Sequence, residues 1–585
     1  MKPKHLITML LVVCMLLLTT ACGQTEEDVL LFSEETYQYD VVCSVQVSMQ
    51  EATVITQLTE EMAKQCGTAP ALVYDIQKEQ SGKPKIIIGT GVCSEINIPE
   101  LGAQESYWGV DTTGKDVVIS ASTPSALKVA TEYFLSQCSY DKELNTYKIA
   151  GNIKEEKYTQ GYYRDGWLLT DIPSYWGDNE LVATTYNCGT TLFNSNKNED
   201  TVLLQSVKST TAQEAETYAK LLETLGYTKL SHRSVENNEF YRFQNDSTKI
   251  FVNYYGNEEI ADVIMDQSSI ATLDLDYSYE PKSGERTEVY LYGLYRRPYD
   301  DATLNDSIAI RGGLSMVIKL ADNSVIIIDG GEGATQFKEA YHPDYLEFLY
   351  EITGTPKTEK IRVAAWYITH GHGDHANGMA TFLMNNTAHI DLERVIGNFP
   401  DPDNVNTAME VLGNIRTAIQ MYGCQEVKVH TGDVIQLADV AIEILYTHED
   451  LATEAGIWAS EDDNDASIAC IFRTSEGMSF FLNGDMNMAS FEAMEKNFSS
   501  KTLNSTLALV AHHLYNDLDE RYYSVLSPQF FLVGADSYNI PNSSVTQRQH
   551  DFAAAHSEAV YYEDDTFGFA FENGRAVLIY EKEMF

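Results

Sequence analysis

Thr369-His370-Gly371-His372-Gly373-Asp374-His375-Ala376-Asn377-Gly378 follows the apolar run 361–368. Four side chains able to bind metal fall within six residues of that stretch, at 370, 372, 374 and 375. Residues two apart at the end of an extended strand point the same way, so His370 and His372 share one face. Asp374 and His375 are expected in the turn that follows, within reach of a second ion. Imidazole nitrogen and carboxylate oxygen in fixed geometry suit zinc and similar divalent ions. Gly371 and Gly373 let the backbone fold closely around such a centre. A chance cluster of surface histidines explains this spacing poorly.

Working outward, residues 315–320 and 324–329 read as two strands joined by the tight turn Ala321-Asp322-Asn323, the second ending Asp329-Gly330-Gly331. A helix is expected over 343–352. Downstream, the apolar strand 478–482 ends Asn483-Gly484-Asp485, and the strand 507–511 ends His512-His513.

His-x-His-x-Asp-His after an apolar strand, with an earlier strand ending Asp-Gly-Gly, resembles the metallo-β-lactamase superfamily. The resemblance covers residues 287–585. It implies an αββα sandwich with two metal ions at one edge of its sheets. By that resemblance Asp485 bridges both ions. His513 closes the second site, with His512 as the alternative. Asp374 binds the second ion and orients the nucleophile. The family's third histidine has no counterpart, because the comparable stretch is Asp462-Asp463-Asn464-Asp465-Ala466-Ser467-Ile468. Its Asn-Asp-x-Ser pattern resembles the competence-type branch, which includes ComEC-like DNA-uptake proteins. A carboxylate, an amide or water then completes the first ion, and His448 is the histidine candidate for the same place. Thr369 and Asn377 are candidates to fix the imidazoles from behind. His430 is read as a turn residue, with metal binding the lesser alternative. His232, His342, His389, His550 and His556 are isolated and read as core or surface.

Two divalent ions, zinc expected and manganese or iron as alternatives, would lower the pKa of a shared water and supply hydroxide as nucleophile. The expected enzyme is therefore a metal-dependent hydrolase, with a phosphodiester or other phosphoester favoured as substrate. An ester, lactone or β-lactam is the alternative within the class. A glycan- or wall-binding lipoprotein with a vestigial hydrolase is the alternative outside it.

The chain has 585 residues, a soft expectation of roughly three or four domains. Hydrophobic residues at 44% and charged residues at 22% allow ordinary globular cores. A net charge of −46 weighs against a long polyanion such as nucleic acid as ligand. Residues 1–22 read as a signal peptide: Lys2 and Lys4, an apolar run over 6–18, then Leu18-Thr19-Thr20-Ala21-Cys22-Gly23. The last stretch resembles the lipobox of bacterial lipoproteins, with Thr19 where leucine is usual. It implies a lipid on Cys22 and an extracytoplasmic, membrane-anchored enzyme, a plain secretory signal being the alternative. No later stretch approaches the roughly 20 apolar residues of a membrane helix.

Two smaller α/β or α+β domains are expected before the sandwich. Residues 36–153 carry strands at 85–89 and 116–120 and helices at 52–64 and 123–137. They resemble the accessory domain placed before the barrel of several glycosidases, which leaves room for glycan contact. Residues 156–285 read as a helix over 211–225 followed by strands at 239–244, 249–255 and 261–266. The aromatics of 156–200 are read as core packing, and 280–284 as a linker. Of nine cysteines, Cys14 leaves with the signal and Cys22 carries the lipid. Cys43, Cys66, Cys93, Cys138, Cys188, Cys424 and Cys470 remain, with one or two bridges possible among the first four.

Overall fold

A computed structural model describes residues 28–45, 47, 49–75, 82–90, 96–99, 101, 105–160, 169, 172, 174–175, 181–187, 202–245, 248–267, 286–294, 313–332, 341–400, 409–451 and 462–583. The signal segment with Cys22, the thiols Cys93 and Cys188, the linker 280–284 and most of 156–200 lie outside the described residues. The chain divides into two units, Met1–Gly177 and Asp178–Phe585.

The first unit is built on a six-stranded sheet. Leu72–Tyr74, Asp40–Cys43, Lys85–Gly89 and Val117–Ala121 run parallel in that order. Glu105–Asp111 and Lys154–Gln160 extend it antiparallel. Ile86, Ile88, Val117 and Ile119 pack against Leu58 and Met62 of the helix Met49–Cys66 and Leu127 and Phe134 of Pro124–Gln137. Thr123 caps the latter helix, its side chain accepting from the Ala126 amide, with proline in the first turn as the sequence suggests. Because Lys154–Gln160 pairs with Glu105–Asp111, this unit continues past residue 153. Cys43, Cys66 and Cys138 form no disulfide, so no bridge joins these three of the four expected candidates. Burial pushes the Cys138 thiol up to about 12, which keeps it protonated.

The second unit holds three sheets. A nine-stranded sheet runs Gln425–Lys428, Arg394–Gly397, Ile361–Tyr367, Val325–Asp329, Ser315–Lys319, Glu288–Leu291, Asp565–Glu572 and Arg575–Glu583, with Ile390–Leu392 also on Ile361–Tyr367. A seven-stranded sheet runs Val434–Leu437, Val440–Tyr446, Ala469–Thr474, Ser479–Leu482, Leu507–Val510, Phe530–Val533 and Ala559–Tyr562. The strand period of two sorts their side chains between layers. Val325 and Ile327 face the helices Tyr341–Thr353, Gly373–Asn385 and Met409–Tyr422, whereas Ile326 and Ile328 face the other sheet. Ile442, Ile444, Phe472, Leu482 and Leu509 meet them from across the gap. Ala469, Ile471, Phe481 and Val510 point outward to the helices Met488–Asn497, Glu520–Leu526 and Ser544–Ala555. This is the four-layer αββα arrangement expected of residues 287–585.

The third sheet of the unit comes from the expected accessory region and runs Leu181–Asn187, Val202–Val207, Ile260–Asp266, Lys249–Tyr255, Asn238–Gln244 and Thr228–Val235. Thr211 and Glu214 form a capping box on the helix Ala212–Thr224. This sheet is fused to the sandwich. Phe240 and Tyr255 belong to the same core cluster as Ile471 and Val510. Arg242 Nε lies 2.5 Å from Asp433 Oδ1, both buried, and its Nη2 donates to Thr431 O at 2.6 Å. Among the described residues, no helix is long and apolar enough to cross a membrane.

Candidate metal centre

Four chain segments converge just past the ends of strands, two from each sheet of the sandwich. The strand Ile361–Tyr367 delivers Thr369 and His370. The Thr369 amide donates to Asp329 Oδ1 at 2.8 Å, and its hydroxyl donates to Asp329 Oδ2 at 2.8 Å. The chain then turns into the helix Gly373–Asn385, with His372 extended at its N-cap. Asp374 and His375 therefore stand in the first turn of a helix, where a loop turn was expected. The helix fits there because Gly378 faces backbone: a Cβ at that position would lie 2.2 Å from Gly330 O. The free amides at such a helix start favour the carboxylate of Asp374.

From the second sheet, Ser479–Leu482 ends at Asn483 and Gly484. Asn483 Nδ2 donates to Tyr522 OH at 2.6 Å. Gly484 has φ of 51°, and a Cβ there would lie 2.8 Å from both Ser467 Oγ and Thr369 Cβ. The Asp485 amide donates to Ser467 Oγ at 2.9 Å, which fixes the next carboxylate. Leu507–Val510 leads into His512, His513 and Leu514, which all adopt left-handed backbone with φ of 48°, 54° and 67°. Three consecutive non-glycine residues in that region are strained, and such strain gathers at functional sites.

The imidazole Nε2 atoms face inward around Asp485. His375 Nε2 lies 3.2 Å from Asp485 Oδ1. His513 Nε2, His512 Nε2 and His370 Nε2 lie 3.5, 3.7 and 4.0 Å from Asp485 Oδ2. His513 Nε2 is also 3.7 Å from Asp374 Oδ2 and 3.3 Å from His375 Nε2. The Nδ1 atoms are tied from behind. His375 Nδ1 donates to Asp329 Oδ2 at 2.7 Å, and His513 Nδ1 donates to Gly534 O. His512 Nδ1 contacts Asn516 Oδ1. Thr369 spends its hydroxyl proton on Asp329, so its oxygen accepts from His370 Nδ1 at 3.1 Å. A proton held on Nδ1 leaves a lone pair on Nε2, the form in which histidine binds a metal.

Charge follows from this enclosure. Burial drives His370 well below the usual histidine range. Burial opposes protonation of His375 as well, but Asp485, Asp329 and Asp374 outweigh it and hold its pKa well above. Asp485 is pushed up by burial and pulled further down by His375 and His513, so it stays ionised. Asp374 and His372 keep 42% and 33% of their side-chain surface exposed, which makes theirs the open side of the centre.

Two donor sets could hold metal among the described residues: His370, His375 and Asp485, and Asp374, His375 and His513. The residues fit divalent ions. His370 Nε2 is buried and has no hydrogen-bond partner among the described residues, although its ring lies beside those of His372 and His375 and the nitrogen is 4.0 Å from Asp485 Oδ2. Facing nitrogens 3.3 Å apart with a fixed anion beside them make a natural cation cradle.

The remaining sequence candidates go elsewhere. His448 is buried away from these donor sets, its Nε2 donating to Asn398 Oδ1 at 3.0 Å, and burial lowers its pKa to about 3. His430 is no plain turn residue: it is buried between Glu449 Oε2 at 2.8 Å and Asp266 Oδ2 at 3.4 Å. Thr369 holds His370 as anticipated, but Asn377 Oδ1 accepts from Asn414 Nδ2 and braces two helices instead. His232, His389, His550 and His556 pair with Glu239, Tyr350, Tyr562 and Glu520. Asp329 was missed as a positioning residue, although the Asp-Gly-Gly strand end marked its place.

No family model and no curated protein matches this chain. Several solved structures resemble part of it. The metallo-beta-lactamase fold protein YhfI from Bacillus subtilis is 11% identical, over 50% of this chain and 99% of that one, with a TM-score of 0.29. The diiron beta-hydroxylase CmlA from Streptomyces venezuelae is 11% identical, over 51% and 55% of the two chains, with a TM-score of 0.28. Isothiocyanate hydrolase from Delia radicum gut bacteria is 14% identical, over 45% and 97%, with a TM-score of 0.26.

Proposed function

We propose that this chain is an extracytoplasmic metal-dependent hydrolase, anchored through a lipid on Cys22, that cleaves a phosphodiester or other phosphoester. His370, His372, Asp374, His375, Asp485 and His513 would hold two divalent ions. The observation that carries this reading is the inward convergence of Nε2 atoms on the buried carboxylate of Asp485, with each partnered Nδ1 turned outward. Divalent ions in such a place acidify water and polarise the electrophile.

The protein's own contribution is placement. Asp485 supplies a fixed negative charge between the imidazoles. Asp374, on the open side, accepts a hydrogen bond from the attacking water and aims it. His512, 26% exposed and 3.7 Å from Asp485, lines the same opening and can donate toward substrate oxygens. A small phosphoester of the cell envelope suits the charge of −46 better than a long nucleic acid, the substrate that the competence-type pattern by itself would suggest.

The test combines metal analysis of the purified protein with hydrolysis of bis-p-nitrophenyl phosphate by wild type and His372→Ala. The expected result is about two ions per chain and turnover lost in the variant. Metal with no turnover on this substrate would remove the phosphodiester and point to esters or lactams. A protein that takes up no zinc or manganese would overturn the hydrolase reading.

A further inference from the structure

We propose that Asp463 is the third protein ligand of the ion held by His370 and His372, standing where related sites carry a histidine. The inference rests on the two-ion reading above and deepens it.

The stretch Asp462-Asp463-Asn464-Asp465-Ala466-Ser467 holds three aspartates with different tasks. Asp462 caps the short helical turn Asp463–Ala466, its Oδ1 accepting from the Asn464 amide at 3.0 Å, and its Oδ2 accepts from Asn487. Asp465 Oδ1 accepts from Ser490 Oγ at 2.6 Å, and its carbonyl accepts from Tyr446 OH. Asp463 instead directs Oδ2 to within 3.9 Å of His372 Nε2, with 1% of its side chain exposed.

The turn has no freedom to drift from the centre. Ser467 Oγ accepts the Asp485 amide, and the Ile468 amide donates to Thr369 O at 2.9 Å. The segment carrying Asp463 is thus fastened to both strand ends that deliver Asp485 and His370. The rings of His370 and His372 are 4.7 Å apart. Two donors bound to one ion at about 2.1 Å lie about 3.0–3.5 Å from each other. At 3.9 Å, Asp463 Oδ2 and His372 Nε2 need to close by about half an ångström to reach that span.

His448, the other candidate, is committed. Asn398 Nδ2 donates to Val429 O and Glu449 Oε1, so its Oδ1 faces His448 and takes the Nε2 proton. His448 belongs to neither donor set of the centre.

A first ion bound by two imidazoles and two carboxylates is a harder, more oxygen-rich site than one with three imidazoles. Such a site discriminates less strongly for zinc against manganese or ferrous iron.

The experiment titrates full-length protein with zinc chloride and with manganese chloride against a competing chelator. Wild type should bind two ions. Asp463→Asn should keep one and bind the other about tenfold or more weakly. Asp463→His should regain both and favour zinc over manganese more strongly than wild type does. His448→Gln should match wild type. Two undiminished ions in Asp463→Asn, or one ion lost in His448→Gln, would overturn the assignment. Wild type binding fewer than two ions would overturn the two-ion reading itself. Should Asp463→Asn fail to fold by circular dichroism, visible spectra of cobalt-loaded wild type and Asp463→His decide. A band shift supports Asp463 as ligand, and identical spectra exclude it.

Discussion

Asp329 Oδ2 lies 2.7 Å from His375 Nδ1, and neither side chain has any surface exposed to solvent. Asp329 also receives the amide and hydroxyl of Thr369, so one carboxylate orders two consecutive segments of the centre.

Asp329→Asn should therefore weaken metal binding without removing a ligand. An amide accepts from the imidazole less strongly and offers a donor where only acceptors are wanted. The expected loss is about 10–100-fold in affinity for the ion near Asp374, His375 and His513. Competition with a fluorescent chelator measures it. Unchanged affinity would show that the pair serves folding alone.

His512 and His513 should separate in the same assay. His513 belongs to a donor set with Asp374 and His375, whereas His512 is more exposed and stands off by 3.7 Å. His513→Ala should lose one of two ions. His512→Ala should retain both and lower turnover. The reverse pattern would exchange their roles.

The buried triad His430, Glu449 and Asp266 predicts a pH-dependent stability. Burial disfavours a charged His430, but Glu449 and Asp266 outweigh it and raise its pKa to about 9. A raised histidine pKa contributes stability that is complete below its unfolded value of about 6.5 and is lost as pH climbs through 9. Glu449, which burial alone would raise, is pulled to about 2 by His430, so its share is present above about 4.5 and is lost toward 2. Both shares are whole between about pH 4.5 and 6.5. There His430→Gln should cost about 3 kcal/mol or more, because two buried carboxylates lose their cation. Urea unfolding from pH 5 to 10 should show the gap to wild type narrowing at the alkaline end. A gap independent of pH would refute the charge assignment.

Asp262 runs the other way. Its pKa rises to about 8, chiefly through burial, and Ser206 Oγ still donates to it. The native state keeps this carboxyl neutral, so its penalty appears as pH rises from the unfolded value toward 8. Asp262→Asn imitates the neutral form. It should match wild-type melting near pH 4 and exceed it by several degrees above pH 8 in calorimetry. Equal melting at both pH values would contradict the burial argument.

Much of the centre was legible from residue spacing. The end of the strand 361–368 and the Gly484-Asp485 strand end meet, with His370 and His375 facing Asp485, whereas His372 lies against Asp463. Helix starts were legible at Thr123 and Thr211 because capping is local chemistry. The helical setting of Asp374 and His375 was not, since Gly373, Asp374, Asn377 and Gly378 are poor helix formers. That helix exists because Gly378 lets it press against the Gly330 carbonyl, a tertiary contact. Asp329 and His375 are 46 residues apart, and no local periodicity links them. The buried polar roles of His430 and His448 likewise depend on Asp266 and Asn398, brought in from distant strands.

The accessory sheet shares its apolar core with the sandwich through Phe240 and Tyr255, and shares buried charge through Arg242 and Asp433. A joint of this kind makes the whole second unit one cooperative object. Cleaving the chain ahead of residue 287 would not liberate a finished enzyme. It would bare the outer face of the Ala469–Thr474 strand and leave Asp433 a buried anion without its Arg242 partner, so the unit is expected to melt in a single transition and to lose its fold on dissection there.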